Sequence, residues 1–383
     1  MTDLENILPL WHELEKAGAD YVLATVVDVE GPSYRKPGAR MLIARDGRRA
    51  GTVSGGCLEA EVAKRAWWFT ESGPVVGRYS TIADDGDMPY GSGCGGVVHV
   101  LLERRATAAP LLRKLEVSFH ARVPLAIATV LEGSEIAKRV FGGPAISKGR
   151  NDSEPTQELE TTLTDMAFQA QQRMQSIDQR VTVGEKTMRV WVDYRAARPG
   201  LWIFGAGDDA KPIVQLARQL GWFAAVADGR SHLATRDRFP VADGVITLAI
   251  AEMPLNSESW LANLKTTDAA ILVTHSFDQD SRILASLLAR QSLPAYVGVL
   301  GPQRRTREVL AEAARLLGFG DVAERVEQWL AQLHAPTGLD IGAETPAAIA
   351  LSIIAEIQQT LNNGSALPLR QVRAVRPAVA SRG

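Results

Sequence analysis

Apolar side chains at Leu4, Ile7, Leu8, Trp11 and Leu14 recur at helical spacing, so the chain opens with an amphipathic helix that packs on a sheet. Residues 21–29 follow as a nearly continuous apolar strand, broken by Gly31-Pro-Ser-Tyr-Arg-Lys-Pro-Gly38. Asp46-Gly47 between residues 40–45 and 48–53 is a hairpin signal, and it delivers the chain into Gly51-Thr-Val-Ser-Gly-Gly-Cys-Leu-Glu59. Good helix formers run from Cys57 to the aromatics Trp67, Trp68 and Phe69. Strands are predicted at 75–79, 97–102, 124–130 and 136–140, with a helix near 110–120. Leu159, Leu163, Met166, Ala170, Met174 and Ile177 trace one further helix, and residues 188–194 a strand, before Arg198-Pro-Gly200 breaks the pattern.

Beyond that break the pattern changes. Leu201-Trp-Ile-Phe204 is a short apolar strand followed by the turn Gly205-Ala-Gly-Asp-Asp-Ala210 and a helix. Strands at 223–227, 244–248, 269–274 and 295–299 then alternate with helices, as a doubly wound parallel sheet requires. The expected fold is α/β: an amino-terminal α+β domain over 1–198, then a Rossmann-like doubly wound parallel-sheet domain over 199–364. The tail 365–383 carries little apolar pattern and is expected to be disordered.

Composition narrows the function classes. The formal charge of −2 gives no general reason to bind nucleic acid or a membrane surface, and no apolar run reaches the length of a bilayer span. The start Met1-Thr-Asp-Leu-Glu5 is acidic where a secretory signal would be basic, so a cytoplasmic protein is expected. Six scattered histidines and two cysteines assemble no zinc spacing.

The two cysteines carry the most information, because both sit in glycine-rich backbone: Cys57 after Gly55 and Gly56, and Cys94 in Gly91-Ser-Gly-Cys-Gly-Gly96, before Gly95 and Gly96. A thiol in the first turn of a helix, with Ser54 or a glycine near its cap, is favoured as the thiolate, the reactive or ligating form. The alternative is a tight turn whose small cysteine packs inside. In the 31–38 loop, Ser33 and Arg35 stand between two prolines on stiff backbone, able to face a ligand or simply to solvate a turn. The aspartates at 84, 85 and 87 match no full calcium loop, His99 reads as a satisfied core residue, and Glu103, just beyond a strand, is either a functional carboxylate or an ordinary charged strand end.

In the second half, Gly205 and Gly207 with Asp228, 23 positions after Gly205, match a dinucleotide-binding turn and its ribose carboxylate. Asp208 and Asp209 would repel a phosphate at the helix start. His275 is an acid–base or structural candidate, and Gly301 followed by Arg304 and Arg305 offers an anion clamp. An NAD(P)-dependent oxidoreductase is therefore one reading of this half, and a disulfide switch between Cys57 and Cys94 a weaker one for the first half.

The motifs at 31–38, 51–59 and 93–96 resemble the XdhC/CoxI family of xanthine dehydrogenase accessory proteins. Gly205-Ala-Gly-Asp-Asp-Ala210, Asp228-Gly-Arg230, Arg238-Phe-Pro240, Thr274-His275, Gly298-Val-Leu-Gly301 and Gly338-Leu-Asp-Ile-Gly342 resemble that family's carboxy-terminal domain. The resemblance implies a chaperone that binds the molybdenum cofactor (molybdopterin), supports its sulfuration and protection, and inserts it into an apo molybdenum hydroxylase. It further implies Cys57 and Cys94 as molybdenum contacts, a crevice that takes the pterin or its phosphate, a cysteine desulfurase as a further partner, and a homo-oligomer. Asp208-Asp209 departs from the family pattern, where many members have His and a small residue.

Overall fold

The computed structural model describes residues 3–56, 58–80, 96–142, 155–252 and 259–375. The chain divides into two compact units, Met1–Arg198 and Pro199–Gly383.

The first unit runs α1 (Asp3–Lys16), β1 (Tyr21–Glu30), β2 (Arg40–Ala44), β3 (Arg49–Gly51), α2 (Glu59–Phe69), β4 (Val75–Ser80), β5 (Val97–Arg104) and α3 (Arg105–Ala121), then β6 (Leu125–Val130), β7 (Arg139–Gly142), α4 (Pro155–Arg173), β8 (Ile177–Val183) and β9 (Lys186–Arg195). These strands make two antiparallel sheets, ordered β3-β2-β1-β5-β4 and β7-β6-β9-β8. The predicted stripe of α1 is buried at all five positions and packs with α3 against Leu23 and Leu42 on one face of the first sheet. Val62 and Ala66 of α2 cover the other face with Val22, Ala24 and Val26, which is why β1 reads as continuously apolar. The second sheet lays Ala126, Ala128 and Val190 on α4.

Two buried ion pairs join the sheets. Arg40 of β2 meets Asp193 of β9 at 2.8 Å, and Arg139 of β7 meets Glu103 of β5 at the same distance. Glu103 thus closes a strand by pairing inside the protein. His99 is not a core residue: it is partly exposed, and its Nε2 lies 2.6 Å from Glu30 Oε1 across the β1–β5 pair.

The second unit contains β10 (Gly200–Phe204), α5 (Ala210–Gln219), β11 (Phe223–Asp228), β12 (Gly244–Thr247), α6 (Ser259–Asn263), β13 (Ala269–Leu272), α7 (Phe277–Leu288), β14 (Tyr296–Val299), α8 (Gln303–Leu316), α9 (Val322–Leu330), α10 (Pro346–Leu361) and α11 (Leu369–Val375). Its strands are all parallel, in the order β12-β11-β10-β13-β14. Leu201 and Ile203 face α5 and α10, whereas Trp202 and Phe204 face α7 and α8, the period of two expected of a strand buried on both sides. The Rossmann-like sheet is as expected. Among the described residues no helix is long and apolar enough to cross a membrane.

Several boundaries differ from the sequence reading. Ile177 opens β8 instead of ending α4, and α3 begins at Arg105, so that Pro110 lies inside it. Leu369–Val375 is helical within the stretch expected to be disordered. Residues 376–383 lie outside the described residues.

Removing one partner of a buried ion pair strands the other charge in a low-dielectric interior. Arg139→Ala is therefore expected to lower unfolding stability in urea by about 3–5 kcal/mol, and Glu103→Leu with Arg139→Met to recover most of that loss.

Candidate functional site

In the first unit the glycine-rich loops converge. The 31–38 loop leaves β1, and the 51–56 segment leaves β3 at the same end of the sheet. Arg35 ties them together: its Nε donates to Thr52 Oγ1 at 2.8 Å, and its Nη2 donates to Thr52 and to Asp3. The Tyr34 ring lies over Gly55, 3.2 Å from where a β-carbon there would stand. Ser33 donates its hydroxyl proton to the Arg35 carbonyl at 2.8 Å and so stiffens its own loop. A β-carbon on Gly96, just beyond Cys94, would stand 2.2 Å from the Pro32 carbonyl oxygen, closer than any side chain tolerates. The segments flanking both cysteines therefore meet on residues 32–34.

The approach to Cys57 is held by a buried carboxylate. Glu59 Oε1 accepts from the backbone N–H groups of Ser54 (2.8 Å) and Val53 (3.2 Å), and its Oε2 from the Ser54 hydroxyl at 2.5 Å. Ser54 Oγ in turn accepts at 3.0 Å from the N–H of Leu58, the residue just before the helix. Burial opposes the charge on Glu59, but these bonds outweigh it and hold its carboxyl below the usual range. The helix starts at Glu59, two residues later than Cys57. Gly56 has φ of 108° and leaves open space on its Cβ side. Cys57, Cys94, Gly95 and the three acidic-loop aspartates lie outside the described residues.

In the second unit the candidates gather at the carboxyl ends of β10, β11 and β13, the switch point of a doubly wound sheet. Gly205 has φ of 120°, and a β-carbon there would meet the Val273 carbonyl at 2.8 Å, so glycine lets the first turn close onto β13. Gly207 is open on its Cβ side. Asp228 is fully buried and already occupied: Oδ2 accepts from Ala206 N at 2.7 Å and Arg230 Nη2 at 2.8 Å, while Oδ1 accepts from Arg230 N and Nε. Burial works against its charge, yet Arg230 and the backbone donors bring its pKa below the usual carboxylate value. The position matches a ribose-binding carboxylate, but its oxygens hold the turn together.

Asp208 does not press on the helix start. It is exposed and paired with Lys211 at 2.8 Å and Arg238 at 3.0 Å. Asp209 Oδ2 lies 3.4 Å from Nε2 of the exposed His275. The paired arginines separate: Arg304 projects into solvent beside Glu308, whereas Arg305 reaches 2.7 Å from the buried Asp280. Thr274 donates its hydroxyl proton to Asp280 at 2.5 Å, and burial raises the Asp280 pKa despite these partners. Gly301, with φ of 110°, turns the chain from β14 toward α8. The sequence does not single out the side chains of Arg238 and Asp280 as site residues, and it offers Arg304 and Arg305 together as an anion clamp without showing that only Arg305 turns inward. Among the described residues no cluster of three His, Cys, Asp or Glu side chains is arranged to hold a metal.

Comparison with known proteins places these features in a family. Residues 201–357 match the XdhC Rossmann domain, and residues 14–80 match the XdhC and CoxI family. The chain is 31% identical over 342 residues to a protein of Bacillus subtilis (strain 168) named as a probable xanthine dehydrogenase subunit, covering 88% of this chain and 92% of the relative. It is 25% identical to the "Molybdenum cofactor insertion chaperone PaoD" of Escherichia coli (strain K12), covering 93% of this chain and 88% of the relative. A crystal structure of a xanthine dehydrogenase from Bacillus halodurans superposes with a TM-score of 0.68 at 26% identity, covering 97% of this chain and all of that one.

Asp228→Asn keeps the shape and removes the charge that four donors share, so at pH 7 it should destabilise the second unit by roughly 2 kcal/mol. Because the folded pKa of Asp228 is depressed, its contribution is present above the unfolded value of about 3.9 and fades as pH falls through the folded value. Thermal melts across pH 7 to 3 should show the two proteins converging at the acid end; a gap that stays constant would contradict this role.

Proposed function

The chain belongs to the XdhC and CoxI family, and from that premise we propose that it is a maturation factor that binds the molybdenum cofactor, supports its sulfuration and protection, and inserts it into a xanthine dehydrogenase-type molybdenum hydroxylase. The observation that carries the reading is the convergence of the Gly55 and Gly96 segments on residues 32–34, because it draws the backbone beside both cysteines toward one place. The relatives' names support the cargo: one is called a molybdenum cofactor insertion chaperone, and the other is named for xanthine dehydrogenase.

The residues fit such a group. Thiolates are soft donors suited to a metal already bound by sulfur, and the open side of Gly56 admits a bulky heterocycle. When bound, the cofactor brings a molybdenum centre with its pterin dithiolene. In this reading Cys57 and Cys94 contact the metal side of the cargo, Gly55, Gly56, Gly95 and Gly96 let it approach the backbone, and Ser54 with Glu59 fixes the loop that presents Cys57. Ser33 and Arg35 hold the facing loop. The 1–198 unit handles the cofactor. In the second unit, the turn at Gly205 and Gly207 with His275 is left for a pterin phosphate or a partner. The partner is an apo molybdenum hydroxylase, with a cysteine desulfurase as sulfur source and a second copy of the chain as further candidates. An NAD(P)-dependent activity would need a free ribose carboxylate, and Asp228 offers none.

The protein purified from a molybdenum-competent host should carry pterin and molybdenum in comparable amounts by mass spectrometry, and Cys57→Ser and Cys94→Ser should each lower that load by at least about tenfold, since even partners that only orient a metal's ligands are worth that much. Folded wild-type protein with no pterin in any preparation would overturn the proposal.

A further inference from the structure

A cavity of about 220 Å³ lies within the first unit, beneath the 31–38 loop. Leu4 and Leu115 close one side, and Asp3, Arg35, Arg40 and Arg195 line the other. Charge in this wall does not balance. Arg40 is 4% exposed; its Nη2 pairs with Asp193 at 2.8 Å and its Nη1 with the Gly38 carbonyl at 2.9 Å, but its Nε is buried with no partner. Arg195 stands 3.7 Å from the same Asp193 oxygen and 3.5 Å from the same carbonyl, so it shares partners that Arg40 already holds. Arg35 spends its Nη2 on Asp3 and its Nε on Thr52. Three guanidinium groups thus face two carboxylates, Asp3 and Asp193, and one positive charge is left over in a half-enclosed space.

Arg195 is 36% exposed, so its charge is not stranded, but a guanidinium crowded against Arg40 and sharing one carboxylate with it is short of negative charge nearby. Its enclosure and the neighbouring Arg40 both pull the Arg195 pKa down, the direction expected where positive charge is in excess. A neutral acceptor could satisfy an N–H donor but would leave the excess positive charge unmatched. A planar fork of N–H donors is suited to a tetrahedral or planar oxyanion, and the leftover charge matches one anionic group.

We propose that this pocket binds a small oxyanion of the phosphate or phosphate-monoester class, held by the Arg195 guanidinium within the positive field of Arg40 and Arg35. The site stands on the arginines alone and does not depend on the pterin reading. Arg35 gives it a consequence: the same side chain that lines the pocket grips Thr52, two residues before Ser54, so an anion that draws on Arg35 acts on the segment leading to Cys57.

The test is calorimetric titration of the full chain with inorganic phosphate at low ionic strength, against chloride as control. One saturable site is expected, weakened about tenfold in Arg195→Met and retained in Arg195→Lys, with both variants melting near the wild-type temperature. Non-saturable heat, or equal affinity in wild type and Arg195→Met, overturns the proposal. Glycerol 3-phosphate added in competition separates the sources: displacement of inorganic phosphate identifies a site for a phosphate carried on a larger molecule, and exclusion identifies a site for free phosphate. Either result is compatible with loss of pterin binding in the cysteine variants, so failure of the anion site and failure of the proposed function are read independently.

Discussion

The architecture of the first unit depends on a contact that leaves no room for a side chain. Gly96 lies against the Pro32 carbonyl so closely that any β-carbon would collide with backbone, and backbone cannot swing aside as a flexible side chain can. That contact sets where β5 enters the sheet beside β1, and so where the chain arriving from Cys94 must come in. On the same loop Tyr34 covers Gly55 and Arg35 holds Thr52, which sets where the chain leaves toward Cys57. Ser54 and Glu59 then fix the last turn before the helix. Sequence, loop geometry and proposed chemistry are linked by one short segment, residues 32–35.

The second unit uses the same economy for another purpose. A nucleotide-binding turn needs open glycines and a carboxylate left free for a ribose. Here the glycines are present, but Asp228 is spent on Ala206 and Arg230, and Asp208 is spent on Lys211 and Arg238. The turn and sheet of a dinucleotide-binding domain are present, while the carboxylate at the ribose position is engaged by donors of its own turn. Fold alone is therefore a poor guide to what this crevice accepts.

Strong periodic signals were legible and weak ones were not. The α1 stripe and the strand–turn–helix at Phe204 could be read directly, because full burial forces a period. β8 escaped notice because it is the edge of its sheet and mostly polar, and because Ile177 happens to continue the helical spacing of α4. The sequence offers Arg304 and Arg305 as a pair, yet adjacent residues on a helix point about 100° apart, so only one of the two can turn toward Asp280. Spacing located Asp228 correctly in the chain, but no spacing rule shows that a carboxylate's oxygens are already taken. The family resemblance, by contrast, rested on several ordered motifs at once, and the matches over residues 14–80 and 201–357 agree with it.

The central claim is that the two thiols serve one site. A short bis-maleimide applied to the reduced, folded chain, followed by peptide mass mapping, addresses it directly. An intrachain product joining Cys57 to Cys94 is expected, formed at protein concentrations too low for cross-linking between molecules. Two singly modified cysteines, with no joined peptide at any reagent ratio, would contradict it.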